Sequence, residues 1–397
     1  MWTTIGELLC NRDEERIPVS SAIRKKQTNK IYDYYGAAGV IDKVDSFLFN
    51  ERLLLIGEDG ANLLSRAKDN AFFAEGKYWV NNHAHILDCS DKEILNYVAL
   101  VINAMDLNPY ITGTAQPKLN QDNLNKIFIP LPPKREQGEI ISVVGRLEKV
   151  VQDLVDSARI MNILIDKAKA MILTLAISGK LVPQDPADEP AINLLKRINP
   201  DFVPCDNSHY PVELPSGWTT MPLGHICDTI NGLWKGKKEP FVSIGVIRNA
   251  NFTKDFKLDY SNIEYLDVEA SSFAKRALKN GDLIVEKSGG SEKNPVGRAI
   301  LYEGESGKYS FSNFTMALRI KDCRIMNSHF LYYAIMAYYL RGDMSKMQTQ
   351  TTGLHNLIGD KYLSMLIPLP PIEEQMRIVK KIELLFTSLN EIKATLC

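Results

Sequence analysis

The chain has little excess charge of either sign, few cysteines and no long apolar run, and each shortage removes a class of protein. Its 47 Lys and Arg nearly balance 48 Asp and Glu, for a formal net charge of −1 over 397 residues. Taken whole, that balance argues against a nucleic-acid binder, so charge has to be read region by region. The six cysteines (Cys10, Cys89, Cys205, Cys227, Cys323, Cys397) lie far apart without CxxC spacing. That pattern fits a reducing cytoplasm better than a disulfide framework. No apolar stretch approaches the roughly 18–20 residues of a membrane span. The opening MWTTIGELLC has no basic region with an apolar one behind it, so no secretory signal is expected. A GxxxxGK[ST] phosphate loop is missing, as is a Ser/His/Asp arrangement legible in sequence. Disorder is excluded too, because 45% hydrophobic and 24% charged residues are globular values. The length suits two to three domains, each with its own core.

What is present is a long-period repeat. Ile129-Pro130-Leu131-Pro132-Pro133 recurs 238 residues later as Ile367-Pro368-Leu369-Pro370-Pro371, and Glu136-Gln137 recurs as Glu374-Gln375. Behind the first copy apolar residues fall at Ile140, Val144, Leu147, Val151, Leu154, Ala158, Met161, Ile165, Ala168, Ile172 and Leu175. Behind the second, Ile378, Ile382, Leu385, Leu389, Ile392 and Leu396 each stand 238 residues after a counterpart. One such pattern alone is most simply a core-facing amphipathic helix. Two matched copies with a 3.5-residue period favour a pair of long helices packed together. Ile140, Val144, Leu147, Val151, Leu154, Ile378, Ile382, Leu385 and Leu389 are the expected pairing positions.

Proline has no N–H and steers the residue before it away from the α region, so each LPP leads into a helix start. Glu136, Glu139, Glu373 and Glu374 place negative charge in the first turns, which suits a helix N-terminus. The first helix is expected to stop at Ser178-Gly179 with glycine in a left-handed cap. Prolines from Pro183 to Pro215 then mark an irregular connection. From Ile140 to Leu175 the seam is roughly 54 Å long at 1.5 Å per residue; the second seam is about half that length. Upstream the repeat is weaker. Trp2-Thr3-Thr4 with Ile5-Gly6 echoes Trp218-Thr219-Thr220 with Leu223-Gly224, and the segment 52–57 aligns with 282–287. Trp79-Val80-Asn81-Asn82 with Ile86-Leu87 parallels Phe311-Ser312-Asn313 with Ala317-Leu318. The layout is a β-rich domain (1–130), a central helical spacer (131–180), a linker (181–213), a second β-rich domain (214–366) and a short helical spacer (367–397).

Catalytic chemistry is hard to find. Asn108-Pro109-Tyr110 resembles the NPPY element of amino-methyltransferases, but it lacks the second proline and a preceding glycine-rich cofactor loop, so it reads as a turn. Asp282, Glu286 and Lys287 resemble a nuclease core, yet adjacency puts Glu286 and Lys287 on opposite strand faces, where they cannot share a metal. His83 and His85 could share a strand face, but no Cys or carboxylate joins them at ligand spacing, and a polar contact is expected instead. No catalytic residue, metal or cofactor is assigned.

The globular parts do offer donors and aromatics on glycine-bearing loops. Arg24, Lys25, Lys26 and Lys30 precede Tyr34 and Tyr35; Trp234, Lys235, Lys237 and Lys238 precede Arg248 and Asn249. Gln348, Gln350, Thr351, Thr352, His355 and Asn356 crowd the stretch before the second IPLPP, as Gln116, Lys118 and Asn120 do before the first. Lys and Arg neutralise phosphates; Arg, Asn and Gln bond base edges. Each cluster alone reads equally well as a solvated surface. Their occurrence in both halves, on loops rather than on the helices, points to DNA.

These segments together resemble, over nearly the whole length, the specificity (S) subunit of type I restriction–modification enzymes. The two IPLPP…EQ segments with their helices carry the resemblance. Ala176 to Pro186 resembles the end of that family's central helical region, and Leu214-Pro215-Ser216-Gly217-Trp218 its entry to a recognition domain. Tyr34-Tyr35-Gly36, Gly57 to Asn62 and Trp79 to His85 are similar to one recurrent class of its recognition domains. The resemblance implies an α+β fold: two β-rich target-recognition domains separated by two long antiparallel coiled-coil helices, in a pseudo-twofold repeat. It implies a cytoplasmic, non-catalytic subunit in which each domain reads one half of a bipartite asymmetric site on double-stranded DNA. The helices would set the spacing and dock the methyltransferase (M) subunits, two of them, with restriction (R) subunits joining through the complex. Asn81, Asn82, His83 and Lys287 join the expected DNA contacts. Two other readings compete: a coiled-coil adaptor that touches no DNA, and a stand-alone DNA methyltransferase or nuclease. The charge balance also resolves by region: 1–130 holds 14 basic against 17 acidic groups, and 214–366 holds 19 against 15.

Overall fold

In a computed structural model the described residues are all but 114, 205–212, 235, 237, 293, 352 and 397, with residue 351 described by its backbone alone. The chain divides into two compact units, Met1–Val155 and Asp156–Cys397.

Unit 1 contains strands β1 (Trp2–Thr4), β2 (Cys10–Asn11), β3 (Tyr32–Gly36), β4 (Gly39–Val44), β5 (Phe49–Asn50), β6 (Leu53–Gly57), β7 (Ala71–Ala74), β8 (Lys77–Val80), β9 (Ala84–Asp88) and β10 (Phe128–Pro130). Helix α1 (Lys92–Ala104) follows β9. Two four-stranded sheets form, in the orders β2-β9-β6-β7 and β4-β3-β8-β5. The run Leu53-Leu54-Leu55-Ile56 is apolar throughout because β6 is buried on both faces. Alternation sends Leu53 and Leu55 into a core with Phe49, Tyr78, Val80 and Ile86. Leu54 and Ile56 turn the other way, against Ile5, Leu95, Val98 and Ile102.

The second unit repeats the plan. It contains β11 (Thr219–Pro222), β12 (Cys227–Asn231), β13 (Phe241–Ile247), β14 (Glu264–Glu269), β15 (Leu283–Glu286), β16 (Ser288–Gly290), β17 (Ala299–Leu301), β18 (Tyr309–Phe311), β19 (Thr315–Ile320), β20 (Gln348–Thr351), β21 (Leu354–Leu357) and β22 (Leu366–Leu369). The order β12-β19-β15-β17 matches β2-β9-β6-β7. A parallel pair, β13 with β18, matches β3 with β8. Leu283 and Val285 face one core and Ile284 the other.

The IPLPP segments are strands before they are helix leaders. β10 pairs antiparallel with β1, and β22 with β11. Glu136-Gln137 and Glu374-Gln375 now acquire a reason. Gln137 Nε2 donates to the Pro132 carbonyl at 2.8 Å, and Gln375 Nε2 to the Pro370 carbonyl at 3.0 Å. Each glutamine ties the first helical turn back to the proline pair whose ring nitrogens donate nothing.

The first long helix, α2, runs Lys134–Ile177, 44 residues, or roughly 66 Å. It stops where expected: Gly179 has φ +70°, and Lys180 N and Gly179 N donate to the carbonyls of Leu175 and Ala176, a left-handed glycine cap. The connection behind it is less irregular than its prolines suggest. It contains α3 (Ala191–Ile198), which buries Ala191, Leu194 and Leu195, because a PP-free amphipathic octet lies between two prolines. Helix α4 (Ser328–Leu340) is buried nearly all round, and α5 (Ile372–Ala394) closes the chain. α5 lies antiparallel to the C-terminal part of α2: Lys169 Nζ donates to Asn390 Oδ1 at 2.6 Å, and Lys393 lies 3.6 Å from Asp166.

The heptad seam is used unevenly. Ile378 and Ile382 are buried, with Leu385 and Leu389 half-buried. Ile140 packs instead on the core of its own globular unit, beside α1. Leu147, Val151 and Leu154 are about three-fifths exposed, at 60%, 60% and 64%. The pairing of 169 with 390 and 166 with 393 places α5 alongside the C-terminal end of α2.

Candidate nucleic-acid interface

Each expected contact has to be both exposed and unspent to meet DNA. In unit 1 Lys25 and Lys26 are exposed on the short helix Ser21–Lys26. Arg24, on the same helix, is already engaged. Its guanidinium bonds Asp42 at 2.8 Å and lies 4.4 Å over the Tyr34 ring. Arg24, with the Lys43 amide and Lys30, holds the Asp42 carboxyl well below its ordinary range. Tyr34 is a correction to the sequence reading: it is 1% exposed, and its hydroxyl takes the Val19 amide at 3.0 Å. It belongs to the core because β3 is an inner strand. Tyr35 is half-buried against Phe72 and Tyr78.

Asn81 is likewise a shaping residue. It is 3% exposed, and its Oδ1 accepts the His83 amide at 2.8 Å, turning the chain between β8 and β9. Asn82 and His83 stand exposed at that turn. A groove lined by Val19, Arg24, Tyr34, Asn81, Asn82 and His83 opens beside it. His83 Nδ1 is 2.7 Å from Asp59 Oδ2. Gln116 and Lys118 are exposed, and Lys118 Nζ lies 3.2 Å from Glu58.

His83 and His85 face different surroundings, and both meet carboxylates that sequence spacing did not reveal. His85 is 1% exposed, with Nδ1 2.5 Å from Asp13 Oδ2 and Nε2 2.7 Å from the Leu119 carbonyl. Burial pushes the Asp13 carboxyl up, but His85, the Ile86 amide and Arg16 outweigh it, leaving it below its ordinary value. The donor atoms of Asp13, Glu58 and His85 lie within 4.8 Å of one another. Arg16 occupies the space a cation needs, 2.6 Å from Glu58 and 3.3 Å from Asp13, so the cluster is a salt-bridged clasp.

In unit 2 Trp234 is 67% exposed and Lys238 is exposed. Lys235, Lys237 and Thr352 lie outside the described residues. Arg248 is ion-paired with Glu264, and Asn249 Nδ2 donates to the Ser288 carbonyl at 2.7 Å. Lys287 Nζ reaches Asn231 Oδ1 at 3.3 Å, and Ser288 Oγ bonds Asn356 Oδ1 at 2.5 Å. Gln350 is exposed on β20. His355 corrects a further expectation. It is 7% exposed, hidden between Gln350 and Gly290 in the sheet β16-β21-β20, and its Nδ1 has no hydrogen-bond partner among the described residues. Glu286, read as a strand residue, is buried beside Arg298; burial raises its carboxyl and Arg298 opposes the rise.

The structure thus brings Lys25, Lys26, Asn82, His83, Gln116 and Lys118 to the surface of one unit, and Trp234, Lys238 and Gln350 to that of the other. Phe314, 50% exposed at the β18–β19 turn, was missed. Its signal in sequence is its place directly after Ser312-Asn313, the counterpart of Asn81-Asn82.

No helix among the described residues is long and apolar enough to cross a membrane. The model of the type I restriction modification DNA specificity domain matches twice, at residues 3–159 and 215–396. A Haemophilus influenzae protein named as a candidate type I restriction enzyme specificity subunit is 23% identical, over 98% of this chain and 89% of its own length. The EcoAI specificity subunit of Escherichia coli is 29% identical over 58% of this chain, and that alignment covers 41% of the EcoAI subunit. Two solved structures share the fold. One is the HsdS subunit of Thermoanaerobacter tengcongensis, with TM-score 0.52, 16% identity and coverage of 100% of this chain and 91% of that one. The other comes from a study of complex assembly and conformational transition in the type I R-M system, with TM-score 0.57, 17% identity and coverage of 100% and 92%. With the specificity-domain model matched in both halves, the chain belongs to the type I restriction modification DNA specificity family.

Proposed function

We propose that this chain chooses the DNA site for a cytoplasmic type I restriction–modification complex and performs none of its chemistry. Its two recognition domains, within 1–130 and 214–366, each read one half of a split asymmetric sequence. Helices α2 and α5 set the distance between the half-sites and dock two M subunits, through which R subunits join. The observation that carries this reading is the duplication itself: one sheet plan, one specificity-domain match and one IPLPP-to-helix junction occur in each half. A two-headed reader needs that arrangement, and a single catalytic site does not. The exposed seam of Leu147, Val151 and Leu154 supports helix docking, since aliphatic stripes of that length on a helix are covered by a partner helix.

Phosphate neutralisation would rest on Lys25, Lys26 and Lys238, and base reading on Asn82, His83, Gln116, Trp234 and Gln350. Methylome sequencing of cells carrying the chain with its M partner tests the reading. A bipartite target with two unlike halves is expected; a continuous target, or methylation independent of this chain, overturns it. Salt-titrated binding separates the coiled-coil adaptor, because phosphate contacts make affinity fall steeply with salt.

A further inference from the structure

The two halves can be superposed residue by residue at one place, through two backbone hydrogen bonds that occur in both. Glu58 N donates to the His83 carbonyl and Leu119 N to the Glu58 carbonyl; Lys287 N donates to the Phe314 carbonyl and Leu357 N to the Lys287 carbonyl. Strand register agrees. Gly57 faces Ala84 as Glu286 faces Thr315, and Asp59 bridges Lys118 as Ser288 pairs with Asn356. His83 therefore corresponds to Phe314, Glu58 to Lys287, Asp59 to Ser288 and Lys118 to Asn356.

The backbone is duplicated, but the chemistry is not. In unit 1 the turn tip carries an imidazole whose Nδ1 is held by Asp59 while the side chain stays 47% exposed. That contact leaves Nε2 for another partner. In unit 2 the same tip carries a phenyl ring, 50% exposed, with no polar atom and no ring partner among the described aromatics. A large apolar side chain held at the tip of a turn is poorly accounted for by core packing. Apolar side chains read the thymine methyl in the major groove, and polar ones read hydrogen-bonding base edges.

We propose that His83 and Phe314 are equivalent specificity positions, His83 hydrogen-bonding a base edge in one half-site and Phe314 contacting a thymine methyl in the other. This rests on the DNA-reading role given above. Around each tip the exchanged set (Glu58, Asp59, Lys118 against Lys287, Ser288, Asn356) changes the local charge, so the two units read unlike halves from one scaffold.

The test selects DNA from a randomised bipartite library with the assembled complex of this chain and its M partner, comparing wild type with His83→Ala, His83→Gln, Phe314→Ala and Phe314→Leu. Each alanine variant should lose about tenfold of its preference at one base pair, in opposite halves, with the other half unchanged. Phe314→Leu should keep the thymine preference in part. In the selected site, replacing that thymine by uracil should weaken wild-type binding several-fold and leave Phe314→Ala unaffected. Relaxation of the same half by both variants, or a uniform loss over all sequences, overturns the proposal. If wild type selects no bipartite site, the DNA-reading role itself fails and this assignment with it.

Discussion

The Trp218 indole Nε1 donates a 2.8 Å hydrogen bond to Glu374 Oε2, in the core at the start of α5. Glu374 Oε1 accepts from Gln184 Nε2 at 2.6 Å, and Trp218 and Glu374 are 5% and 1% exposed. The bond joins the entry of the second recognition domain to the helix that follows it. Burial raises the Glu374 carboxyl above its ordinary 4.5, with Trp218, Gln184 and Arg377 opposing the rise. A carboxyl raised on folding adds stability at low pH and loses it as the pH climbs through the folded value. Glu374→Ala leaves the indole N–H unpaired and should cost roughly 1–3 kcal/mol. Glu374→Gln keeps an acceptor and removes the titration. Its urea midpoint should vary less than wild type between pH 5 and 8; an equal slope would show that Glu374 does not drive it.

The clasp in unit 1 should respond to acid in the opposite sense. The Asp13 carboxyl is depressed below 3.8, so its contribution is present at neutral pH and lost as the pH falls through the depressed value. His85→Ala takes a hydrogen-bond partner from the buried Asp13 carboxylate and should cost roughly 1–3 kcal/mol. Hydrogen exchange at Ile86, whose amide donates to Asp13 Oδ1 at 2.8 Å, reads the loss directly. Protection at Ile86 unchanged by His85→Ala would refute it.

The sequence already reveals the large plan and misplaces some registers, for identifiable reasons. The IPLPP…EQ repeat has an offset of 238 throughout, and structural pairs such as Gln137–Pro132 and Gln375–Pro370 keep it, because a strand, a proline pair and a helix start leave no room for insertion. The match of 52–57 with 282–287 runs one residue out. Gly57 stands where Glu286 does; an added Cβ at Gly57 would come within 2.6 Å of the Ala37 carbonyl, so that glycine answers a contact inside unit 1 and carries no register. The Trp-Thr-Thr echo is two residues out: Trp2 pairs with Pro130 where Thr220 pairs with Pro368. Trp2 is 68% exposed, whereas Trp218 is buried on Glu374. The site was less legible than the fold. Whether Tyr34 or His355 faces solvent depends on which strand is central, and no periodicity in a five-residue segment decides that.

The exposed seam gives a prediction that separates folding from assembly. Leu147, Val151 and Leu154 lie open on α2, so a triple change to Ser should cost the isolated chain little, with roughly 0.5 kcal/mol or less per site. Co-purification with the M subunit should fall at least tenfold. Unaltered M binding would leave these positions without a docking role.

The exposed lysines predict a change in salt dependence rather than in sequence preference. Lys25, Lys26 and Lys238 to Ala, together in the assembled complex, should lower affinity for all sequences alike. The slope of log affinity against log salt should flatten by about 1 per phosphate contact removed. A preserved slope would make these lysines ordinary solvated surface.

Helix length should act as a ruler. Removing the seven residues Val150–Asp156 from α2 shortens the helix by about 10.5 Å while turning it by only about 20°, because seven residues nearly complete two turns. The deleted stretch lies N-terminal to Asp166 and Lys169, the residues paired with α5. Both recognition domains and the antiparallel contact are therefore retained. At about 3.4 Å per base pair, the non-specific gap in the target should shrink by about three base pairs with both half-sites unaltered. Removing four residues shortens the helix by about 6 Å but turns it by about 40°, so it should weaken binding at every gap length more than the longer deletion does. Selection from libraries with variable gaps measures both. A gap that stays fixed under the seven-residue deletion would assign the spacing to something other than α2.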